Sequence, residues 1–304
     1  MDFIRFKTVL MATILVALAS GMGATLQARD ASLCASGGVP AGAAEAGAGW
    51  CLDVPDAADA ATGAKSGNPV LQSNKPAVGS VIPGPVTRTG HFVYRWLRPE
   101  VPSGETIVLL HGSGGDEASL FRLAARIAPD ATLLGVRGRV VQKGIKRWYA
   151  RVTPTRFDQA DIRTEARAFA KFLTERMAAE KLDLDRAVFI GYSNGANLIA
   201  ALTLLHPDLV HRAVLLRAMP VLDKAPAADL KGTRFLSVAG ERDKIYGPFA
   251  PELAALLRAH GAVVDTAVVA RGHFLGDEDV KVVSDWLKAA NAVAGGTADS
   301  TKPN

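Results

Sequence analysis

The sequence predicts an α/β architecture, a mostly parallel sheet of about seven strands flanked by helices, and three observations carry that expectation. Short apolar runs rich in Val, Ile, Leu and Phe alternate with longer amphipathic segments through the middle of the chain. Hydrophobic residues make up 49% of the 304 and charged residues only 21%, a balance that suits strands buried on both faces. Only the stretch Pro220 to Thr233 separates two of the later apolar runs, which leaves no room for a large cap domain between them.

In chain order, the first strand is expected at Phe92–Leu97 and is expected to pair antiparallel, because the short turn containing Pro102, Ser103 and Gly104 follows it. Strand Ile107–Leu110 leads to a helix over Glu117–Ile127, and strand Ala131–Val136 is followed at some distance by a helix over Gln159–Glu180. Strand Ala187–Ile190, helix Asn194–Leu205 and strand Ala213–Leu216 come next. Strand Phe235–Val238, helix Phe249–His260, strand Val263–Val269 and helix Asp277–Ala290 complete the alternation.

The ends read differently. Met1 to Lys7 carries Arg5 and Lys7, and Thr8 to Ser20 is apolar without a charge before the small residues Gly21, Gly23 and Ala24. This is the build of a secretory signal peptide over residues 1–28, with an uncleaved anchor helix or a misassigned start as the alternatives. An exported protein is expected, touching a membrane only through that segment. Residues 29–85 are rich in Ala, Gly, Pro, Ser and Asp without sustained periodicity and read as a linker of low order. A catalytic domain is expected over 86–292 and a disordered tail over 293–304. The two cysteines, Cys34 and Cys51, both fall in the linker. A disulfide between them, free thiols, or a lipidated Cys34 are the options there. The net charge of +5 comes from Lys and Arg interleaved with Asp and Glu, so a solvated basic surface is expected and not a nucleic-acid partner.

Chemistry concentrates in four places. Gly191-Tyr192-Ser193-Asn194-Gly195 lies between an apolar run and a helix-like stretch, where a G-x-S-x-G turn projects a serine hydroxyl and the flanking glycines leave room for the turn. A serine hydroxyl needs a base, and the base needs an acid to orient it. The order Ser, acid, His then points to His273, which follows Val263–Val269 within Arg271-Gly272-His273-Phe274. The other histidines considered, His91, His206, His211 and His260, border strands or end helices. Asp243 in the turn Gly240-Glu241-Arg242-Asp243 is the preferred acid, with Glu241 the nearest rival and Asp223 and Asp229 weaker ones. His111-Gly112-Ser113-Gly114-Gly115 follows Ile107–Leu110, and the backbone N–H groups of Ser113 and Asn194 would form an oxyanion hole. His111 reads as a loop brace. A phosphate-binding loop is disfavoured, since no Lys-Ser or Lys-Thr completes it and Glu117 stands where a dinucleotide fingerprint needs glycine. No metal and no cofactor are expected.

On these residues the chain, from about Gly90 to Ala290, resembles the phospholipase/carboxylesterase branch of the α/β-hydrolases, which includes acyl-protein thioesterase-like enzymes and small-ester carboxylesterases. The resemblance implies an α/β-hydrolase fold and cleavage of a small-molecule carboxylic ester or thioester. It also implies that the segment from Arg137-Gly138-Arg139 through Arg147-Trp148-Tyr149 to Phe157-Asp158 helps line the acyl pocket. As aromatic residues at loop positions, Trp148, Tyr149 and Phe274 are expected to form an apolar wall for the substrate. Without a cap the site is expected to be open, which favours short or medium acyl groups. A serine peptidase or polyester depolymerase of the same fold, and a non-catalytic binding protein, are the alternatives. The oligomeric state is not readable from the sequence.

Overall fold

The computed structural model describes residues 83–296, with side chains to Ala290. The leader, most of the linker with Cys34 and Cys51, and residues 297–304 lie outside the described residues.

The elements are β1 (Thr87–Thr89), β2 (Phe92–Leu97), β3 (Thr106–Leu110), α1 (Phe121–Ile127), β4 (Thr132–Arg137), β5 (Val140–Gln142), β6 (Ile145–Arg147), β7 (Arg151–Thr153) and β8 (Arg156–Phe157). They continue with α2 (Gln159–Ala179), β9 (Val188–Tyr192), α3 (Asn194–Leu205), β10 (Arg212–Leu216), β11 (Arg234–Gly240), α4 (Ala250–Ala259), β12 (Val263–Val269) and α5 (Asp277–Gly296). Eight strands form the main sheet, in the order β1-β2-β4-β3-β9-β10-β11-β12. From β4 to β12 every pairing is parallel, and β2 runs antiparallel.

Three differences from the sequence reading have physical causes. The first expected strand is antiparallel as anticipated, but its partner is β4 and not the strand that follows it, because β3 is already paired on both sides by β4 and β9. The eighth strand, β1, is a three-residue edge segment, too short to carry an alternation. Helix α1 begins at Phe121 and not at Glu117, since Glu117 is buried in ion pairs with Arg137 and Arg95. At the other end α5 runs to Gly296, past the expected boundary at 292.

The sheet is apolar on both faces because neighbouring residues of a strand point to opposite sides. In β3, Val108 and Leu110 join the core formed with α2, α3 and α4, whereas Ile107 and Leu109 join the core formed with α1 and α5. The same split sends Phe189 one way and Val188 and Ile190 the other. Helix α3 is buried from Asn194 to Leu204, which explains its nearly all-apolar sequence. Asp158 caps α2 by accepting from the N–H groups of Ala160 and Asp161 at 3.0 Å. The turn from β10 to β11 contains no helix, so no cap is inserted there.

Candidate active site

The parallel strands end on one edge of the sheet, where loops collect functional groups. At the end of β9 the chain turns into α3 through Ser193, whose φ of 49° and ψ of −113° lie outside the ordinary regions. The turn is held by the Ser193 N–H donating to the Leu216 carbonyl at 2.8 Å and by the Asn197 N–H donating to the Ser193 carbonyl at 2.9 Å. Two glycines make it possible. A Cβ on Gly191 would stand 2.6 Å from the Cα of Ala196, and one on Gly195 would strike the carbonyls of Leu110 and His111.

The Ser193 hydroxyl meets Nε2 of His273 at 3.0 Å, and Nδ1 of His273 meets Oδ2 of Asp243 at 2.6 Å. An ionised carboxylate only accepts, so Nδ1 carries the proton and Nε2 is free to accept from the serine. Asp243 is 3% exposed at its side chain and His273 is 25% exposed: the acid is sheltered and the base reachable. Burial pushes the Asp243 carboxyl up, but the hydrogen bond and charge of His273, with the N–H groups of Tyr246 and Ile245, outweigh it and hold the group below the usual carboxylate range. Glu241, Asp223 and Asp229 are exposed, and no ion pair joins them to His273 among the described residues.

The loop before α1 stands against this turn. His111 is buried, and its Nε2 accepts from the Gly138 N–H at 3.0 Å, so Nδ1–H donates to the Gly112 carbonyl at 2.6 Å. Burial lowers its pKa to about 4, leaving a neutral brace in the role the sequence indicated. Ser113 is half-buried, and its hydroxyl accepts from Nη1 of Arg147 at 2.7 Å. Asn194 is buried at the start of α3, with its side-chain carbonyl accepting from the Trp148 N–H at 2.8 Å.

The three residues expected as an apolar wall separate. Trp148 is 1% and Tyr149 0% exposed, so neither faces an incoming molecule. Trp148 Nε1 donates to the His111 carbonyl at 2.9 Å, and the Tyr149 hydroxyl sits beside the Asn194 and Asn197 side chains. Both brace the turn from behind. Phe274, next to His273, is half-buried.

One contributor was not anticipated. Arg217, at the end of β10, is buried with φ of 56° and donates to the carbonyls of Gly272 and Phe274, the residues on either side of His273, at 2.9 and 3.4 Å. Its other contacts go to Asp279 at the start of α5, at 2.8 and 3.1 Å. A charged residue directly after an apolar strand beside the serine strand was the available signal.

Comparison with known proteins bears on the family. Residues 105–261, just over half of the chain, match the family model described as alpha/beta hydrolase fold. A carboxylesterase from Mesorhizobium loti is 50% identical, with a TM-score of 0.65 over 67% of this chain and 98% of its own. A Bacillus cereus carboxylesterase is 32% identical, with a TM-score of 0.62 over 65% of this chain and 93% of its own. MhqD of Bacillus subtilis, which carries a provisional hydrolase designation, is 32% identical over 62% of this chain and 94% of its own. The chain belongs to the α/β-hydrolases and is a carboxylesterase-type hydrolase.

Proposed function

We propose that the chain cleaves short to medium acyl carboxylic esters or thioesters through an acyl-enzyme on Ser193. The observation that carries this reading is the continuous hydrogen-bonded series from the Ser193 hydroxyl through His273 to Asp243, at 3.0 and 2.6 Å.

In the first half-reaction Ser193 Oγ attacks the carbonyl carbon while its proton passes to His273 Nε2. The carbonyl π electrons move to oxygen, and the N–H groups of Ser113 and Asn194 receive that oxyanion. Asn194 opens a twelve-residue helix, whose N-terminal dipole favours negative charge at the same place. As the oxyanion collapses, the bond to the leaving oxygen or sulfur breaks and takes the proton from Nε2. Water then repeats the sequence, giving its proton to His273 and releasing the acid and Ser193. Asp243 stays ionised throughout and stabilises the imidazolium.

The open carboxyl edge supports small substrates that need no cap to rearrange. The leader supports export, a reading tested by locating the mature N-terminus in fractionated cells.

The direct test is turnover of p-nitrophenyl acetate by wild type, Ser193→Ala and His273→Ala. Both substitutions are expected to lower kcat by roughly 10⁴-fold or more, and retention of wild-type rates by either contradicts the reading. A p-nitroanilide substrate cleaved as fast as the ester would move the assignment to a peptidase.

A further inference from the structure

The two N–H groups assigned to the oxyanion sit on separate pieces of chain. Ser113 follows β3 and Asn194 follows β9, and the ladder joining those strands stops at Leu110 opposite Gly191, three residues short of each donor. Beyond that point Trp148 is bonded to both pieces. Buried directly after β6, it gives its backbone N–H to Asn194 Oδ1 at 2.8 Å and its indole Nε1–H to the His111 carbonyl at 2.9 Å.

From His111 the link continues to Ser113. His111 Nε2 accepts from the Gly138 N–H at 3.0 Å, and its Nδ1–H donates to the Gly112 carbonyl at 2.6 Å. That carbonyl and the Ser113 N–H belong to one peptide unit, which is planar and trans, so holding the oxygen toward His111 aims the N–H the opposite way. Trp148 holds His111 twice, through its carbonyl and by a ring centroid 5.3 Å from the imidazole centroid. Phe169 meets the indole in turn at 5.2 Å in a T-shaped contact. The chain closes this tightly because residue 138 is glycine: a Cβ there would run into the Arg147 carbonyl.

Donors to an oxyanion act only where they stand ready at the position the charged oxygen will take. A ground-state ester carbonyl accepts more weakly than the oxyanion, so an error in the separation of two donors is felt mainly in the transition state. Resting on the oxyanion hole proposed above, we infer that Trp148 is a positioning residue that sets the N–H groups of Ser113 and Asn194 in register with each other. It touches no substrate, being 1% exposed. Its effect passes through Asn194 on one side and through His111 and Gly112 on the other.

The experiment compares p-nitrophenyl acetate with its thiono analogue, in which sulfur replaces the carbonyl oxygen. Sulfur is larger and a weaker acceptor, so it gains less from the same two donors, and the oxygen-to-sulfur ratio of kcat/KM reports on the hole alone. Trp148→Phe, which keeps an aromatic ring and loses the indole N–H, is expected to lower kcat on the oxygen ester by about tenfold with little change in KM. The oxygen-to-sulfur ratio is expected to fall by a similar factor. Replacing Trp148 by β-(3-benzothienyl)alanine, which keeps the shape of the indole and removes only its donor, is expected to lower the ratio in the same direction. It also serves if Trp148→Phe does not fold. Equal losses on both esters, or an unchanged ratio in the benzothienyl variant, would overturn the inference and leave Trp148 as packing alone. Failure of the reading beneath it looks different: wild type itself would discriminate between the two esters no better than hydroxide does.

Discussion

Arg217 and Asp279 form a bidentate ion pair with both side chains fully buried, at 2.8 and 3.1 Å. The pair joins the end of β10 to the start of α5, and the His273 loop is hung between them. Arg217 reaches the carbonyls on both sides of His273, while Asp279 accepts from the Gly276 N–H at 2.9 Å. A charged pair is a costly occupant of a core, because removing it from water costs more than burying a hydrophobic pair would. What it provides here is directional: a guanidinium donates to several carbonyls of an irregular loop at once, which an apolar side chain cannot do.

Removing one partner leaves the other charge buried. Asp279→Ala is therefore expected to destabilise the fold by about 3–5 kcal/mol, read from urea denaturation. Arg217→Met, which leaves the loop carbonyls without their donor, is expected to lower kcat more than it raises KM. A variant of either kind with unchanged stability and rate would show that the pair does not hold the loop.

The serine turn makes a second demand. Gly195→Ala places a methyl group against the carbonyls of Leu110 and His111, backbone that leads directly to Ser113. Overpacking of this kind costs roughly 1–3 kcal/mol, and both melting temperature and ester turnover are expected to fall. Retained activity at full stability would mean that the turn opens more easily than its contacts imply.

The acid assignment separates two neighbouring carboxylates. Asp243→Asn is expected to cut kcat by up to about 10⁴-fold, through loss of the correct imidazole tautomer. Glu241→Gln, at an exposed position, is expected to change little. Steady-state kinetics on the two variants decides it, and the reverse pattern would transfer the role to Glu241.

His111 gives a pH dependence with a definite sign. Burial lowers its pKa from 6.5 to about 4, so between these values the unfolded chain binds a proton that the folded chain refuses. Stability contributed at this site thus declines as pH falls from 6.5 toward 4, by roughly 3 kcal/mol in total, and is independent of pH above that window. Denaturation of wild type and His111→Asn across this range checks it. The slope due to this group is expected to vanish in the variant, and identical slopes would contradict the account.

Much of the fold was legible because its signals are local. Strand β9, the Ser193 turn and the buried helix α3 show themselves as an apolar run, a glycine-flanked serine and a second apolar run, and the alternation of β with α gave the parallel sheet. Strand β2 was legible as a strand but not as the neighbour of β4, since sheet order depends on partners distant in sequence. The hairpins of β5 to β8 are two or three residues per strand, too short for a periodicity to be read. Trp148 and Tyr149 look like wall residues in a loop. They are core residues because the hairpin folds back and hydrogen-bonds to Asn194 and His111. Arg217 reads as a surface charge until its burial is known.

The central claim is that Ser193 carries the acyl group. The most direct measurement is mass spectrometry of the protein quenched during turnover of a p-nitrophenyl ester, with peptide mapping of the adduct. The account predicts an acyl mass on the peptide containing Ser193 that is absent from Ser193→Ala. An adduct on another residue, or full turnover by Ser193→Ala with no adduct at all, would contradict it.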